Sequence, residues 1–256
     1  MGIIQGNILA NKILNELKAG RPPEKWLVLY VVEGDPIAEI FVRKHQKVAA
    51  EMGVDLKTYR FFTGTANNET FVASLVNHAS QEIVGGILIT LPLPKNIDLK
   101  KVLKTLPPKK DVGVISQKSV FAPPAVATVE TIFTELRIEY KGKTVAIIGR
   151  GTLIGAPLAK FFKKEAGRII WLNSKNFEKR RSELPEADII ISGAGRKNLI
   201  GPDDISERAV VIDFGGDVDF EKCKDKTNLI TPPRGGVGPI LIAHIFKNFY
   251  SIGSPR

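Results

Sequence analysis

Residues Thr144–Ile148 (TVAII) form an unbroken apolar run that opens directly into Gly149-Arg150-Gly151-Thr152-Leu153-Ile154-Gly155. A helical stretch at Pro157–Glu165 follows. A short strand of this kind, buried on both faces, belongs to a parallel sheet, and such a sheet needs helices packed on it. The glycines let backbone N–H groups approach a phosphate, and the helix start adds the positive end of its dipole. The spacing is G-x-G-x-x-x-G, one residue longer than the common dinucleotide fingerprint. A tight strand-to-helix turn without a ligand is the alternative.

The same alternation runs through the chain. Strands are expected at Trp26–Val32, Lys57–Phe62, Gly86–Leu91, Arg168–Leu172, Ala187–Ser192 and Ala209–Phe214. Helices are expected at Ile37–Met52, Asn68–Ala79, Asp98–Thr105, Val126–Leu136 and Leu241–Tyr250, with Pro232–Pro239 as a loop. Strands separated by helices predict βαβ units, hence an α/β fold in two lobes. The expected division is residues 1–120 joined by 240–256, and residues 121–239.

Composition sets limits on function. The 256 residues are 43% hydrophobic and 25% charged, which excludes a largely disordered chain. The lone Cys223 excludes an intramolecular disulfide framework, and no metal-ligand spacing occurs. The N-terminal stretch lacks signal-peptide features, and no apolar run reaches membrane-spanning length, so a cytoplasmic protein is expected. The net charge of +10 favours anionic partners such as nucleotide phosphates, polycarboxylates or nucleic acid, although a solvated lysine surface produces the same sum. No aromatic-basic module typical of RNA readers is present.

After Trp171-Leu172 the chain reads Asn173-Ser174-Lys175. No acidic residue stands where a ribose 2′-hydroxyl is normally held. Ser174 and Lys175 instead suit a 2′-phosphate, which predicts NADP, with NAD as the alternative.

Several segments then resemble one family in order and spacing. They are Gly34-Asp35-Pro36, Phe41-Val42, Gly86–Pro94 (GILITLPLP), Lys110-Asp111-Val112, Gly149-Arg150 with Gly155, Val211-Ile212-Asp213, Gly216-Asp217-Val218, and Ile230–Pro239 with its GGVGP. The chain resembles the FolD family, methylenetetrahydrofolate dehydrogenase/cyclohydrolase. The resemblance implies an N-terminal folate lobe, a C-terminal Rossmann-like NAD(P) lobe, a cleft between them, and a homodimer. It implies folate contacts at Val42, Leu91, Pro92, Asp111, Gly113, Gly235, Gly236 and Pro239. It implies nucleotide contacts at Gly149, Arg150, Gly151, Thr152, Ile154, Gly155, Ser174, Lys175, Gly195 and Gly216.

The departures fall on the chemistry. The family's Tyr-Val-x-x-Lys reads Phe41-Val42-Arg43-Lys44-His45, and its Gln before LPLP reads Thr90. Its D-V-D-G reads Asp111-Val112-Gly113-Val114, which removes the carboxylate that grips the pterin. Its Gly-Arg-Ser reads Gly149-Arg150-Gly151, and its Val-Pro before GGVGP reads Pro233-Arg234. The loop from Asp213 to Asp217 is shorter than the family's. His45, Phe41 and Thr90 therefore occupy the catalytic positions. An imidazole titrates near neutrality but is shorter than lysine, and Phe41 cannot hydrogen-bond. His45 as a packing residue is the alternative. The resemblance with these substitutions predicts a dehydrogenase whose cyclohydrolase is lost or strongly reduced. A non-catalytic folate- or nucleotide-binding relative is the second expectation.

Overall fold

The computed structural model describes residues 2–34, 36–62, 64 and 66–252. Asp35 of the Gly34-Asp35-Pro36 segment and residues 253–256 of the expected first lobe lie outside the described residues. The first elements are β1 (Gly2–Ile3), α1 (Gly6–Lys18), β2 (Trp26–Val32), α2 (Pro36–Met52), β3 (Leu56–Phe61), α3 (Asn68–Ser80), β4 (Val84–Ile89) and α4 (Leu99–Thr105). Then come α5 (Pro124–Glu135), β5 (Thr144–Ile148), α6 (Gly155–Phe162), β6 (Arg168–Leu172), α7 (Phe177–Arg180) and β7 (Ile189–Ser192). The last are β8 (Val210–Asp213), α8 (Phe220–Cys223), β9 (Leu229–Ile230) and α9 (Val237–Tyr250).

The chain divides into two compact units. One comprises residues 13–122 with 242–256; the other comprises residues 1–12 with 123–241. In the first unit a parallel three-stranded sheet runs β3-β2-β4. Six of the seven residues of β2 are buried, because helices cover a parallel sheet on both faces. Helix α2 buries Ala38, Val42, His45, Ala49 and Met52, an i, i+4, i+7 stripe on one face. The end of α9 is tied to this unit. Asn248 Nδ2 donates to the carbonyls of Val112 and Ala122, and the Tyr250 hydroxyl donates to the carbonyl of Met52.

The second unit holds a parallel six-stranded sheet, β1-β9-β8-β7-β5-β6. Its core beneath β5 and β7 includes Ile148, Leu172, Phe177, Ile190 and Val211. The expected lobe boundary differs at the N-terminus. Strand β1 pairs with β9 through Gly2↔Leu229 and Ile3↔Ile230, so residues 1–12 group with the nucleotide-type sheet and not with the first lobe. Helix α1, which the sequence reading did not assign, buries Leu9, Ala10, Ile13 and Leu14. Helices α6 and α9 begin earlier than expected, with Pro157 and Pro239 inside their first turns. Proline is tolerated there because first-turn N–H groups have no intrahelical acceptor. No helix among the described residues is long and apolar enough to cross a membrane.

Candidate functional site

Strand β5 is central in its half of the larger sheet. The chain leaves it for β6 on one side and then crosses to β7 on the other. Such a reversal opens a crevice at the carboxyl ends of the two strands, where ligands of open parallel sheets bind. A groove of about 310 Å³ lies there. Ile148, Gly149, Arg150 and Gly151 line it after β5, and Asn173, Ser174 and Phe177 after β6. Gly193, Ala194, Arg196 and Leu199 form the wall after β7.

Close backbone approach explains the glycines. Gly149 has φ +110°, and a Cβ there would lie 2.7 Å from the Gly193 carbonyl oxygen. A Cβ on Gly155 would lie 2.1 Å from the Gly149 carbonyl oxygen. The turn is further held by Trp171, whose Nε1 donates to the Gly149 carbonyl at 2.9 Å. The Arg150 guanidinium stacks over the Trp171 ring at 4.5 Å, a cation–π contact that leaves its N–H groups for an anion. These features fit a phosphate-bearing nucleotide: a cradle without side chains and a helix start at Gly155 for its diphosphate, and two arginines at the rim for anionic groups.

Of the nucleotide positions predicted from sequence, Gly149, Arg150, Gly151 and Ser174 line this groove. Thr152 and Lys175 are exposed and stand outside its lining. Ile154 packs against Gly193, where a Cβ would lie 2.8 Å from Ile154 Cγ2. Gly155 acts through the close contact described above. Gly195 and Gly216 occupy open positive-φ turns, at +69° and +70°. Of the wall from Gly193 to Leu199 the sequence reading named only Gly195 and missed Gly193, Ala194, Arg196 and Leu199, which line the groove. Its signal was the Gly193-Ala194-Gly195 turn directly after a buried strand.

The positions predicted for catalysis lie in the other unit. His45 is fully buried on the stripe of α2, with its ring 3.9 Å from Phe41 and 6.1 Å from Phe246. Burial holds its pKa down to about 4, against a smaller opposing effect of its hydrogen bond to the Phe41 carbonyl. That environment corrects the expectation of an accessible acid or base and fits the packing alternative. Phe41 is half-buried. Thr90 is buried just past the end of β4, its N–H donating to the Tyr30 carbonyl.

The predicted folate contacts separate. Val42 is fully buried in the core stripe and offers no surface to a ligand. The Asp111 carboxylate is also fully buried, and it accepts from the N–H groups of Ile115 and Ser116 at 3.0 and 2.9 Å. Both oxygens are thus engaged in holding its own loop. Leu91 and Gly113 are half-buried, and Pro92 is exposed. Gly235, Gly236 and Pro239 belong to residues 123–241, a different unit. Gly235 and Gly236 pack against the start of α1. The Asn7 N–H donates to the Gly235 carbonyl, and a Cβ on Gly236 would lie 2.3 Å from the Pro232 carbonyl oxygen. Backbone crowding accounts for glycine at 236, and a φ of +74° with the Asn7 side chain 2.6 Å from a Cβ accounts for it at 235.

The family model of the tetrahydrofolate dehydrogenase/cyclohydrolase NAD(P)-binding domain matches residues 123–254, and that of the catalytic domain matches residues 4–113. The chain belongs to the tetrahydrofolate dehydrogenase/cyclohydrolase family. It is 32% identical over 272 residues to bifunctional protein FolD of Lactococcus lactis subsp. lactis strain IL1403, covering 96% of this chain and 95% of that one. It is also 32% identical to bifunctional protein FolD of Aquifex aeolicus strain VF5, covering 96% and 93%. Among solved structures it resembles the bifunctional FolD methylenetetrahydrofolate dehydrogenase/cyclohydrolase from Campylobacter jejuni, with a TM-score of 0.86, 26% identity and 98% of both chains covered. It shares the fold of the Trypanosoma brucei FolD complexed with NADP cofactor and inhibitor, with a TM-score of 0.88, 24% identity and 98% and 96% covered.

Proposed function

We propose that this FolD-family chain is an NAD(P)-dependent methylenetetrahydrofolate dehydrogenase whose methenyltetrahydrofolate cyclohydrolase is lost or strongly reduced. The reaction left to it is oxidation of 5,10-methylenetetrahydrofolate to the methenyl form, and NADP is the preferred cofactor. The observation that carries this reading is the state of His45. Hydrolysis needs a proton-handling group in reach of the reacting carbon. Here the residue at that position is buried, neutral and committed to a helix carbonyl.

Hydride transfer depends mainly on positioning of the two reactants. Gly149, Gly151, Arg150 and Arg196 would hold the nucleotide and Ser174 would meet a 2′-phosphate; all five line the groove, which supports these roles. The bound nicotinamide supplies the hydride acceptor. The residues of this chain bind and orient it.

The test is a spectroscopic assay with 5,10-methylenetetrahydrofolate and either NADP+ or NAD+, following reduced cofactor and methenyl product separately. Reduced cofactor with accumulating methenyltetrahydrofolate is the expected result. Conversion onward to 10-formyltetrahydrofolate faster than the spontaneous reaction would overturn the loss of cyclohydrolase. A second reading, a non-catalytic ligand-binding relative, draws on the joint change at Phe41, His45, Thr90 and Gly113. It predicts binding without turnover in the same assay. A homodimer is part of the proposal, and light scattering on the purified chain tests it.

A further inference from the structure

We infer that Asp217 is the positioning residue of the nucleotide groove, acting through the wall that follows β7. The inference rests on the nucleotide reading of that groove. The Asp217 side chain is fully buried, and its two oxygens take three donors. Oδ2 accepts from the Ser192 hydroxyl at 2.5 Å and from the Ala194 N–H at 2.7 Å. Oδ1 accepts from the Arg196 N–H at 2.5 Å. Ala194 and Arg196 line the groove; Ser192 ends the strand that leads to them. Gly195, between them, has φ +69° and open space beside it, so this short turn is held from one side by a single carboxylate.

The carboxylate is itself fixed. The Asp217 N–H donates to Asp213 Oδ1, which also accepts from the Gly215 N–H; the Val218 N–H donates to Asp213 Oδ2. The Asp213 N–H in turn donates to Thr231 Oγ1. The shortened loop after β8 thus becomes a relay of two aspartates. It carries the position of one strand end to the groove wall beside the neighbouring strand. Gly215 is small for a reason: a Cβ there would lie 2.4 Å from Asp217 Oδ2. Hydrogen bonds to a buried charge are among the stronger ones, and an unpaired buried donor is costly. Asp217→Asn turns one oxygen into a donor facing another donor. The turn must then move, and Ala194 and Arg196 move with it.

The test measures nucleotide affinity apart from stability. Full-length wild type, Asp217→Asn, Ser192→Ala and Gly215→Ala are titrated calorimetrically with NADP+ and NAD+. Thermal unfolding is recorded on the same samples. Asp217→Asn is expected to raise the nucleotide Kd by about ten-fold or more, and Ser192→Ala by about three-fold. Gly215→Ala keeps every hydrogen-bonding group but displaces the carboxylate, and it is expected to raise the Kd as well. In turnover the loss appears in KM for nucleotide, with KM for folate and kcat at saturating nucleotide changed by less than about two-fold. Should Asp217→Asn fail to fold, the two milder variants decide. Variants that fold and bind nucleotide as tightly as wild type overturn the inference alone. A wild type that binds neither nucleotide overturns the functional reading and the inference with it.

Discussion

The Nδ1 atom of His45 lies 2.8 Å from the carbonyl oxygen of Phe41, one helical turn earlier. The carbonyl can only accept, so Nδ1 carries the proton and Nε2 is the bare nitrogen. Nε2 is buried without a hydrogen-bond partner. Protonating it would place an unpaired charge between two phenyl rings, which is why burial pushes the pKa from 6.5 to about 4.

Acid sensitivity follows from that shift. Between about pH 6.5 and 4 the unfolded chain takes up a proton at His45 that the folded chain refuses. Stability therefore rises with pH across this window and falls as pH drops through it, by on the order of 2 kcal/mol for this residue. His45→Leu keeps a buried side chain and removes the proton site. Measured from pH 7.5 to 4.5, the urea midpoint of wild type should fall more steeply than that of His45→Leu. His244, which burial also holds down to about 4, titrates in both proteins and cancels from the difference. Parallel midpoint curves would contradict a neutral buried His45.

Restoring hydrolysis should require several changes together. His45→Lys alone puts a longer amine on the buried stripe of α2, with neither Tyr at 41 nor Gln at 90 to orient it. The single variant is expected to stay within about three-fold of wild type in methenyltetrahydrofolate hydrolysis. The combination Phe41→Tyr, His45→Lys, Thr90→Gln and Gly113→Asp should raise that rate by about 100-fold. Gly113 is the hardest of these, because a Cβ there would lie 3.1 Å from Leu88 Cδ2 and that side chain must shift. A single His45→Lys variant matching the combination would place the defect in one residue.

Buried parallel strands were the most legible elements. Trp26–Val32 and Thr144–Ile148 have the boundaries read from their apolar runs, since a strand covered on both faces needs no polar alternation; the edge strand Arg168–Leu172 also keeps its expected boundaries, although only Ile170 and Leu172 are buried. The stripe that buries His45 was legible too, from apolar residues at 38, 42, 49 and 52. Position 45 falls on that stripe, which favours the packing alternative for His45. The turn at Gly193–Gly195 has a local signal, but its place in the groove wall depends on β7 lying beside β5, a sheet order that no local pattern encodes. Asp111 is similar: only the folded loop brings the N–H groups of Ile115 and Ser116 onto its carboxylate. Strand β1, two residues long, has no period to read.

Val114 stands in the left-handed region, with φ +53°, at the position where the family's D-V-D-G has glycine. A side chain there costs about 1–2 kcal/mol, and a β-branched one fits worst. Val114→Gly removes that strain but gives up part of the half-buried side chain and adds freedom to the unfolded chain, offsetting up to about 1 kcal/mol. A net stabilisation of about 0.5–1 kcal/mol is expected, read as a higher urea midpoint with an unchanged slope. A lower midpoint would mean that side-chain packing at 114 outweighs the backbone strain.

Cofactor preference separates Arg150 from Lys175. Both are basic and both follow strands of the same sheet, yet only Arg150 lines the groove, stacked on Trp171 beside Ser174. The 2′-phosphate, nearly a dianion at neutral pH, is the group that distinguishes NADP from NAD, and a guanidinium meets it with paired N–H groups. Arg150→Gln should therefore lower kcat/KM for NADP+ about ten-fold more than for NAD+. Lys175→Ala should leave the ratio within about two-fold, because an exposed lysine outside the groove is screened by water and salt. Steady-state kinetics with both cofactors decides between them. Equal losses with NADP+ and NAD+ in Arg150→Gln would move that arginine onto the diphosphate shared by both. A selective loss in Lys175→Ala would require the turn at Asn173–Asn176 to fold over the bound nucleotide, bringing the lysine to the phosphate.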